Sequence, residues 1–513
     1  MTSGKWYFET TDYELRNSAY SIVGLKNITS GDIIFYVADG DKKINGTSSS
    51  YGASVAASDV VGVALNLDDE ELSFYKNGVS QGVIDISAYH SQGDVWFSRL
   101  GKTGTLAPWG NRFNFGQDST FSGVRPAGGN QDDNGIGDFA YAPPSGYLAL
   151  CTANLPTPTI VDGSTAFNTV LYDGNNNTGS QSVTGVGFQP DFLWLKERTT
   201  LNEHYFVDVV RGDNSGVMRT VFSSSNKVEE DTNNGSSTAY GIISSLDSDG
   251  FTVDSGITNS GGTNYVGRTY VAWNWKAGGT AVSNTDGTIT SQVSANTDAG
   301  FSIVSYTGTS SAGTIGHGLS SAPEMIIVKN RDVDRNWGVY HAYNTSAPET
   351  DYLNLNLTAA TDDSTLPWND TAPTSSVFSV GTSVFSNRPS EDFIAYCFHS
   401  VEGFSKAGSY TGNGSTDGTF VYTGFRPAWV MVKRAVGGTS NWDIMDSARS
   451  PFNIVDTRLY ANLNNAEPTA TDYVDFTSNG FKIRNTANSQ NASGSTYIYL
   501  AFAENPFKYA NAR

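Results

Sequence analysis

Apolar residues along this chain fall in short runs broken by Gly, Asn, Asp, Ser and Pro. Nowhere are they sustained at i, i+3, i+4 and i+7 over three turns. The pattern predicts strands joined by turns, an all-β chain with very little helix. In the first hundred residues the β-type segments are 6–9, 21–25, 33–37, 60–67, 72–76 and 95–100, spaced as an antiparallel sandwich requires. Lys76-Asn77-Gly78-Val79 predicts a hairpin, because Asn-Gly supplies the two positive-φ positions of a type I′ turn.

Beyond residue 157 the pattern repeats. VLYDGNN (170–176), IVSYTGT (303–309) and AGSYTGN (407–413) each carry a tyrosine, Tyr172, Tyr306 and Tyr410, followed by Asp/Thr-Gly. Some twenty residues on, GFQPDFLWLKER, SSAPEMIIVKNR and GFRPAWVMVKRA place a proline ahead of a strand that is apolar on both faces, the mark of a central strand covered on each side. Lys196, Lys329 and Lys433 end these strands, 133 and 104 residues apart, within one residue of the tyrosine offsets. Each lysine is expected to mark where the chain leaves the core, its stem packed and its ammonium in water.

Further on, His204, Trp337 and Trp442 fall in register. Asp208 and Arg211 match Asp446 and Arg449, while the middle copy has His341 and Asn344. An Asp and Arg three apart predict an ion pair that fixes a loop, and the departure in the middle copy argues against a shared active site. Arg211-Gly212-Asp213 is part of this register and is not expected to act as an adhesion tripeptide. Asp249-Gly250-Phe251 and Asn479-Gly480-Phe481, with Val377-Phe378 weakly in their place in the middle copy, lead towards closing strands at 270–279, 393–403 and 497–507. The predicted organisation is a sandwich with its tail at 1–157, β repeats at 158–279, 301–403 and 404–513, and a linker or extra hairpin at 280–300.

Composition agrees with β structure: 54 Gly, 27 Phe and 26 Tyr in 513 residues, with 16% charged. Such a length exceeds one hydrophobic core. The formal net charge is −20, with no basic run to offset it. Binding to nucleic acid through phosphates and insertion into membranes are therefore not expected. Cys151 and Cys397 sit far apart in apolar contexts and read as buried free thiols. The N-terminus carries no secretion signal, and no run approaches a membrane span.

GKWYFE (4–9), VGVALNLDDEELSFYKNGVSQG (61–82) and FNFGQ (113–117) resemble the first strand, central hairpin and closing strand of a SPRY (B30.2-like) domain. The resemblance implies a bent two-sheet sandwich that binds ligands through its loops and does no catalysis. Residues 121–156 resemble the tail found on SPRY domains in bacteriophage-type proteins. The three-copy region resembles an uncharacterised repeated β domain common in marine bacteriophage genomes, often behind a SPRY domain. That order implies a virion structural protein of a tailed phage.

Candidate chemistry is sparse. None of the five histidines makes a metal-binding pair, and there is no nucleophile elbow, P-loop or dinucleotide fingerprint. Asp132-Asp133-Asn134-Gly135 lacks the spaced carboxylates of a calcium loop and reads as a solvated turn. No catalytic residue, cofactor or metal is assigned. Trp6, Trp96, Trp194 and Trp273 lie in apolar strands. Trp109, in the loop APWGNR, is placed to face a ligand, with Asn111 and Arg112 beside it.

The expected function is a non-enzymatic virion structural and adhesion protein: a tail fibre, spike or receptor-binding subunit recognising a host surface glycan or protein. A capsid decoration or head-fibre protein is the alternative, and a surface-polysaccharide depolymerase a third class. Other virion proteins are the expected partners, with homotrimerisation favoured over other oligomers, and the virion is the expected location.

Overall fold

The computed structural model describes residues 3–11, 21–27, 30–91, 96–100, 112–175, 179–231, 241–255, 262–468 and 473–510. The chain is all-β and divides into two compact units, Met1–Pro156 and Thr157–Arg513. Among the described residues, helix is confined to three-residue turns and Thr365–Trp368, and no helix is long and apolar enough to cross a membrane.

In the first unit two sheets enclose one core. One has the order Arg112–Asn114, Lys5–Thr11, Val60–Asn66, Glu71–Lys76, Val79–Asp85, and the other Thr47–Ser50, Asp41–Ile44, Ile33–Val37, Ser21–Asn27, Trp96–Leu100. Trp6 and Phe8 point between the sheets, with Leu25, Ile34, Val63 and Phe74. The turn at Asn77-Gly78 forms as predicted, with φ of 48° and 78°, and Asn77 Oδ1 accepts from the Val60 N–H at 2.8 Å.

The Lys5–Thr11 strand is buried on both faces because the tail folds over its outer side. Leu148–Ala149 pairs parallel to it, Phe139 packs edge-on against Tyr7 at 5.2 Å, and Glu9 accepts from the Ala140 and Tyr141 N–H groups, both at 2.9 Å. The expected solvated turn forms at Asp133-Asn134-Gly135, and Asp132 alone departs from it. Asp132 is buried and its carboxylate accepts from the backbone of Asn134, Ile136 and Ala149 and from Asn154 Nδ2. It clamps the tail, which is why this one carboxylate of the run is buried while Asp133 stays exposed.

The second unit contains three sheets of one design. The orders are Phe167–Asp173, Thr269–Trp275, Phe192–Glu197, His204–Asp208, Val221–Phe222; then Phe301–Thr307, Asp392–Phe398, Met325–Asn330, Gly338–His341, Asp351–Asn354; then Ser405–Thr411, Thr496–Pro506, Phe425–Val436, Trp442–Asp446, Leu459–Tyr460. Residues 280–300 form a hairpin, Val282–Asn284 with Ser291–Asn296, that extends the second sheet and is not a free linker.

The doubly apolar strands now have two destinations for their side chains. Phe192 and Trp194, Met325 and Ile327, and Trp429 and Met431 point into one core shared by all three copies. Their neighbours Leu193 and Leu195, Ile326 and Val328, and Val430 and Val432 point the other way, each set into its own sandwich beneath a small outer sheet. At the centre of the shared core a void of about 10 Å³ is lined by Phe192, Trp194, Trp275, Ile327, Tyr396, Trp429, Met431 and Leu500. Its lining offers nothing to hold an ordered water.

The Tyr-x-Gly signature is explained by the loop ahead of each copy's closing strand. Tyr172, Tyr306 and Tyr410 donate to the carbonyls of Thr263, Ser386 and Gln490 at 2.6, 2.6 and 2.8 Å. The glycines two residues on, Gly174, Gly308 and Gly412, lie so close to the backbone of the same loop that a Cβ would meet a carbonyl oxygen at 2.1, 2.1 and 2.4 Å. Any side chain there would push the loop off the tyrosine.

Candidate functional site: the repeat junctions

Of the predicted ligand-binding residues, Trp109 and Asn111 lie outside the described residues. Arg112 opens the edge strand opposite Thr11, and its guanidinium donates to the Phe121 carbonyl at 2.5 Å. That bond makes it a strut for the turn that starts the tail. Cys397 is buried as expected, whereas Cys151 is half-buried, and both are free. Among the described residues no three His, Cys, Asp or Glu side chains are grouped to hold a metal.

The concentrated chemistry lies where the copies meet, and it runs in one cyclic direction. Asn202 N–H donates to the Asn464 carbonyl, Arg335 N–H to Asn226 and Ser440 N–H to Thr358, at 2.8, 2.9 and 3.0 Å. Copy one thus holds copy three, copy two holds copy one, and copy three holds copy two, closing a ring. The three lysines join the same carbonyls: Lys196 Nζ reaches Asn464 at 3.5 Å, Lys329 reaches Asn226 at 3.1 Å and Lys433 reaches Thr358 at 2.9 Å.

The expectation that these ammonium groups reach water is corrected, since all three lysines are fully buried. Each also donates to a carbonyl of its own copy, Glu197, Arg335 or Ser440. Burial pulls them down from the ordinary lysine range, to about 8 for Lys196 and about 7 for Lys329 and Lys433.

A second line of contacts crosses each junction. Glu467 N–H donates to Arg198, Glu229 N–H to Arg331 and Thr361 N–H to Ala435, at 2.8, 2.9 and 3.0 Å. At two junctions these residues build charge clusters. Arg198 grips Glu467 with two bonds of 2.9 Å, and Glu467 meets Arg449, which is paired to Asp446 at 2.6 Å. Arg331 grips Glu229 in the same way, and Glu229 meets Arg211, paired to Asp208 at 2.6 Å. The predicted Asp–Arg pairs are therefore formed, but inside the protein. Burial alone would weaken the charge on Arg211, yet Asp208, Tyr396 and Glu229 together hold it protonated beyond its ordinary range.

The neighbouring closing strand matches each junction. Trp273 Nε1 donates to Asp446 at 3.0 Å and Tyr396 Oη to Asp208 at 2.8 Å. Leu500 holds the equivalent place in copy three and has no donor, so the third junction is neutral: His341 Nε2 donates to the Tyr499 carbonyl at 3.1 Å, and Thr361 Oγ1 to Asn344 Oδ1 at 2.5 Å. His341 falls to about 4 through burial and stays uncharged. The middle-copy departure is thus a change of junction chemistry. Arg211-Gly212-Asp213 cannot serve as an adhesion motif, because its arginine is sealed in this cluster.

Sequence reasoning missed Asn264, Asn387 and Asn491. All three are fully buried, and each Oδ1 accepts a backbone N–H just after the Tyr-x-Gly glycine, from Asn175, Thr309 and Asn413 at 2.9, 2.7 and 2.9 Å. Their signal was available: each stands six residues ahead of the aromatic, Tyr270, Phe393 or Tyr497, that stacks on the repeat tyrosine.

The lysines give the second unit a pH signature. Free lysine in the unfolded chain titrates near 10.4, so between about pH 7 and 10 the unfolded state binds more protons than the folded one and stability rises with pH. From pH 7 to 9 the expected gain is on the order of 2 kcal/mol for each of Lys329 and Lys433, and less for Lys196. Above pH 10 the sign reverses, because buried tyrosines such as Tyr172 and Tyr410 are held above their ordinary range by burial. Urea denaturation at pH 7 and pH 9 measures the gain, and Lys329→Met should remove its share.

Residues 162–506 match the family model described as Domain of unknown function (DUF7483), and residues 10–95 match the SPRY domain. No curated protein matches the chain.

Proposed function

The chain belongs to the DUF7483 family, with a SPRY domain ahead of that region, and on that footing we propose that it is a non-enzymatic structural and adhesion protein. The observation that carries this reading is the fate of its reactive side chains. Lysines titrating near neutral pH and paired Asp, Arg and Glu groups suit a catalytic cleft, yet here they are sealed at the junctions and bonded to main chain. A nucleophile must reach its substrate within hydrogen-bond range, and buried ammonium groups holding two carbonyls each are spent on architecture. What the protein offers to partners is the outside of four β modules.

The finer proposal is a virion protein of a tailed bacteriophage, assembled in the host cytoplasm, acting as a tail fibre, spike or receptor-binding subunit on a host surface glycan or protein. Its support is the resemblance of the SPRY-then-repeat order to proteins encoded in marine bacteriophage genomes. The closed ring of three copies also favours a second reading, a capsid decoration protein. Such a ring supplies three similar faces within one chain and can sit at a threefold position without association of chains. In the tail reading the chain is expected to trimerise.

Labelled antibody on intact virions separates these. Label at the tail supports the receptor-binding reading, label over the head moves the proposal to decoration, and virions without label overturn both. New reducing ends after incubation with host envelope polysaccharide would overturn the non-enzymatic reading.

A further inference from the structure

One pair of exposed aromatic rings stands on the same face of the same strand. Phe420 and Tyr422, 44% and 52% exposed, flank the inward-pointing Val421 on Phe420–Tyr422, the edge of the small sheet that covers copy three. Val421, Phe481 and Phe476 enter the sandwich core. Strand alternation therefore sets their neighbours outward in two cross-strand rows, Phe420–Lys482–Asp475 and Tyr422–Gly480–Thr477.

The Cα atoms of Phe420 and Tyr422 are about 7 Å apart along the strand. Gly480 lies opposite Tyr422 on the neighbouring strand and is obligatory there, since a Cβ would meet the Val421 carbonyl oxygen at 2.1 Å and the Phe420 ring at 3.2 Å. Lys406 Nζ lies 5.2 Å from the centre of the Tyr422 ring. Lys482 pairs with Asp417 at 2.5 Å, and Asp475 with Arg484 at 3.3 Å.

The other two copies serve as internal controls. They build the same sandwich with Ser182 and Thr184, or Thr314 and Gly316, at these places, and Thr252 and Ser379 stand where copy three has Lys482. The fold therefore does not require aromatic or charged residues on this face, and two rings left half in water carry a solvation cost that burial against a ligand would recover.

We propose that this outer face of copy three is a binding platform for a neutral polysaccharide, with Phe420 and Tyr422 stacking on the flat faces of pyranose rings. Lys482, Asp475 and Thr477 then meet the ring hydroxyls, which both donate and accept. The charges favour a neutral sugar: Lys482 and Asp475 are each ion-paired, Lys406 has the acids Glu324 and Glu402 near it, and the chain as a whole carries −20, so a polyanion meets an acidic background. The inference rests on the adhesion reading and narrows it to one face and one ligand class.

The test is affinity electrophoresis of the full chain through gels containing a mannan, a galactan, an α-glucan or a β-glucan, beside gels containing a sulfated polysaccharide. The comparison is a Phe420→Ser/Tyr422→Thr variant, which installs the copy-one residues and whose near-UV circular dichroism confirms folding. Retardation by at least one neutral polymer, weakened tenfold or more in the variant, is expected. No retardation, equal retardation of the variant, or retardation by the sulfated polymer alone overturns the platform. Adhesion of the wild-type chain to host cells is measured alongside. If it persists while the neutral gels fail, the platform falls and the adhesion reading stands, and if the wild type does not adhere, the reading beneath it falls.

Discussion

Trp429→Ala is expected to destabilise the second unit by about 4 kcal/mol and to lower the melting temperature of all three copies together. Trp429 belongs to copy three, yet its ring meets Trp194, Trp273 and Trp275 of copy one at 6.2, 6.4 and 5.7 Å, besides Phe502 of its own copy at 5.9 Å. Truncation opens a large cavity beside the existing void, among rings whose positions are fixed by three different sheets and which cannot collapse onto it. Tryptophan fluorescence and far-UV circular dichroism should report coincident transitions. A variant in which copy three melts alone while the Trp194 and Trp273 environment survives would show that the core is not shared.

The second large effect is expected at a charged junction. Asp446→Ala removes the acceptor for Arg449 Nε, for the Arg449 main-chain N–H and for Trp273 Nε1. Arg449 then keeps only Glu467 against its charge, in a place closed to water. Loss of one partner of a buried pair costs about 3–5 kcal/mol. Asn344→Ala, at the neutral junction, deletes an acceptor used by Thr361 and should cost about 1 kcal/mol. Denaturant midpoints at constant slope measure both, and equal costs would mean that the clusters add nothing beyond ordinary hydrogen bonds. Replacing Asp446, Arg449, Arg198 and Glu467 together by the His, Asn, Ala and Thr of the neutral junction, with Trp273 kept, should cost less than Asp446→Ala alone, because no charge is then left unpaired.

What the sequence revealed follows from the range of each interaction. The all-β class and the Asn77-Gly78 hairpin depend on residues within a few positions of one another, so alternation and turn residues expose them, and the repeat tyrosines, whose acceptors lie 80 or 91 residues away, were legible only because the pattern recurs three times. The double-sided strands Phe192–Glu197, Met325–Asn330 and Phe425–Val436 were legible as buried. That one side of each enters a core common to all three was not, because the partners come from other copies.

The lysines show the limit most clearly. A lysine at a strand end predicts solvent, and the carbonyl that Lys196 finds belongs to Asn464, 268 residues away. The Asp–Arg pairs were legible because they are three residues apart, whereas Glu229 and Glu467, which carry them across the junctions, each stand 18 residues beyond the arginine, an offset that no local element pattern marks. The bond from Arg112 to the Phe121 carbonyl was illegible for a similar reason: its acceptor is a main-chain group on which side-chain identity leaves no trace.

The claim beneath all of this is that residues 157–513 are one closed body of three copies and not a string of domains. Scanning calorimetry of the full chain tests it most directly. The account predicts one transition for the second unit, with calorimetric and van't Hoff enthalpies equal, separate from that of the first unit. Three resolved transitions within the second unit, or a van't Hoff enthalpy near three times too small, would contradict it.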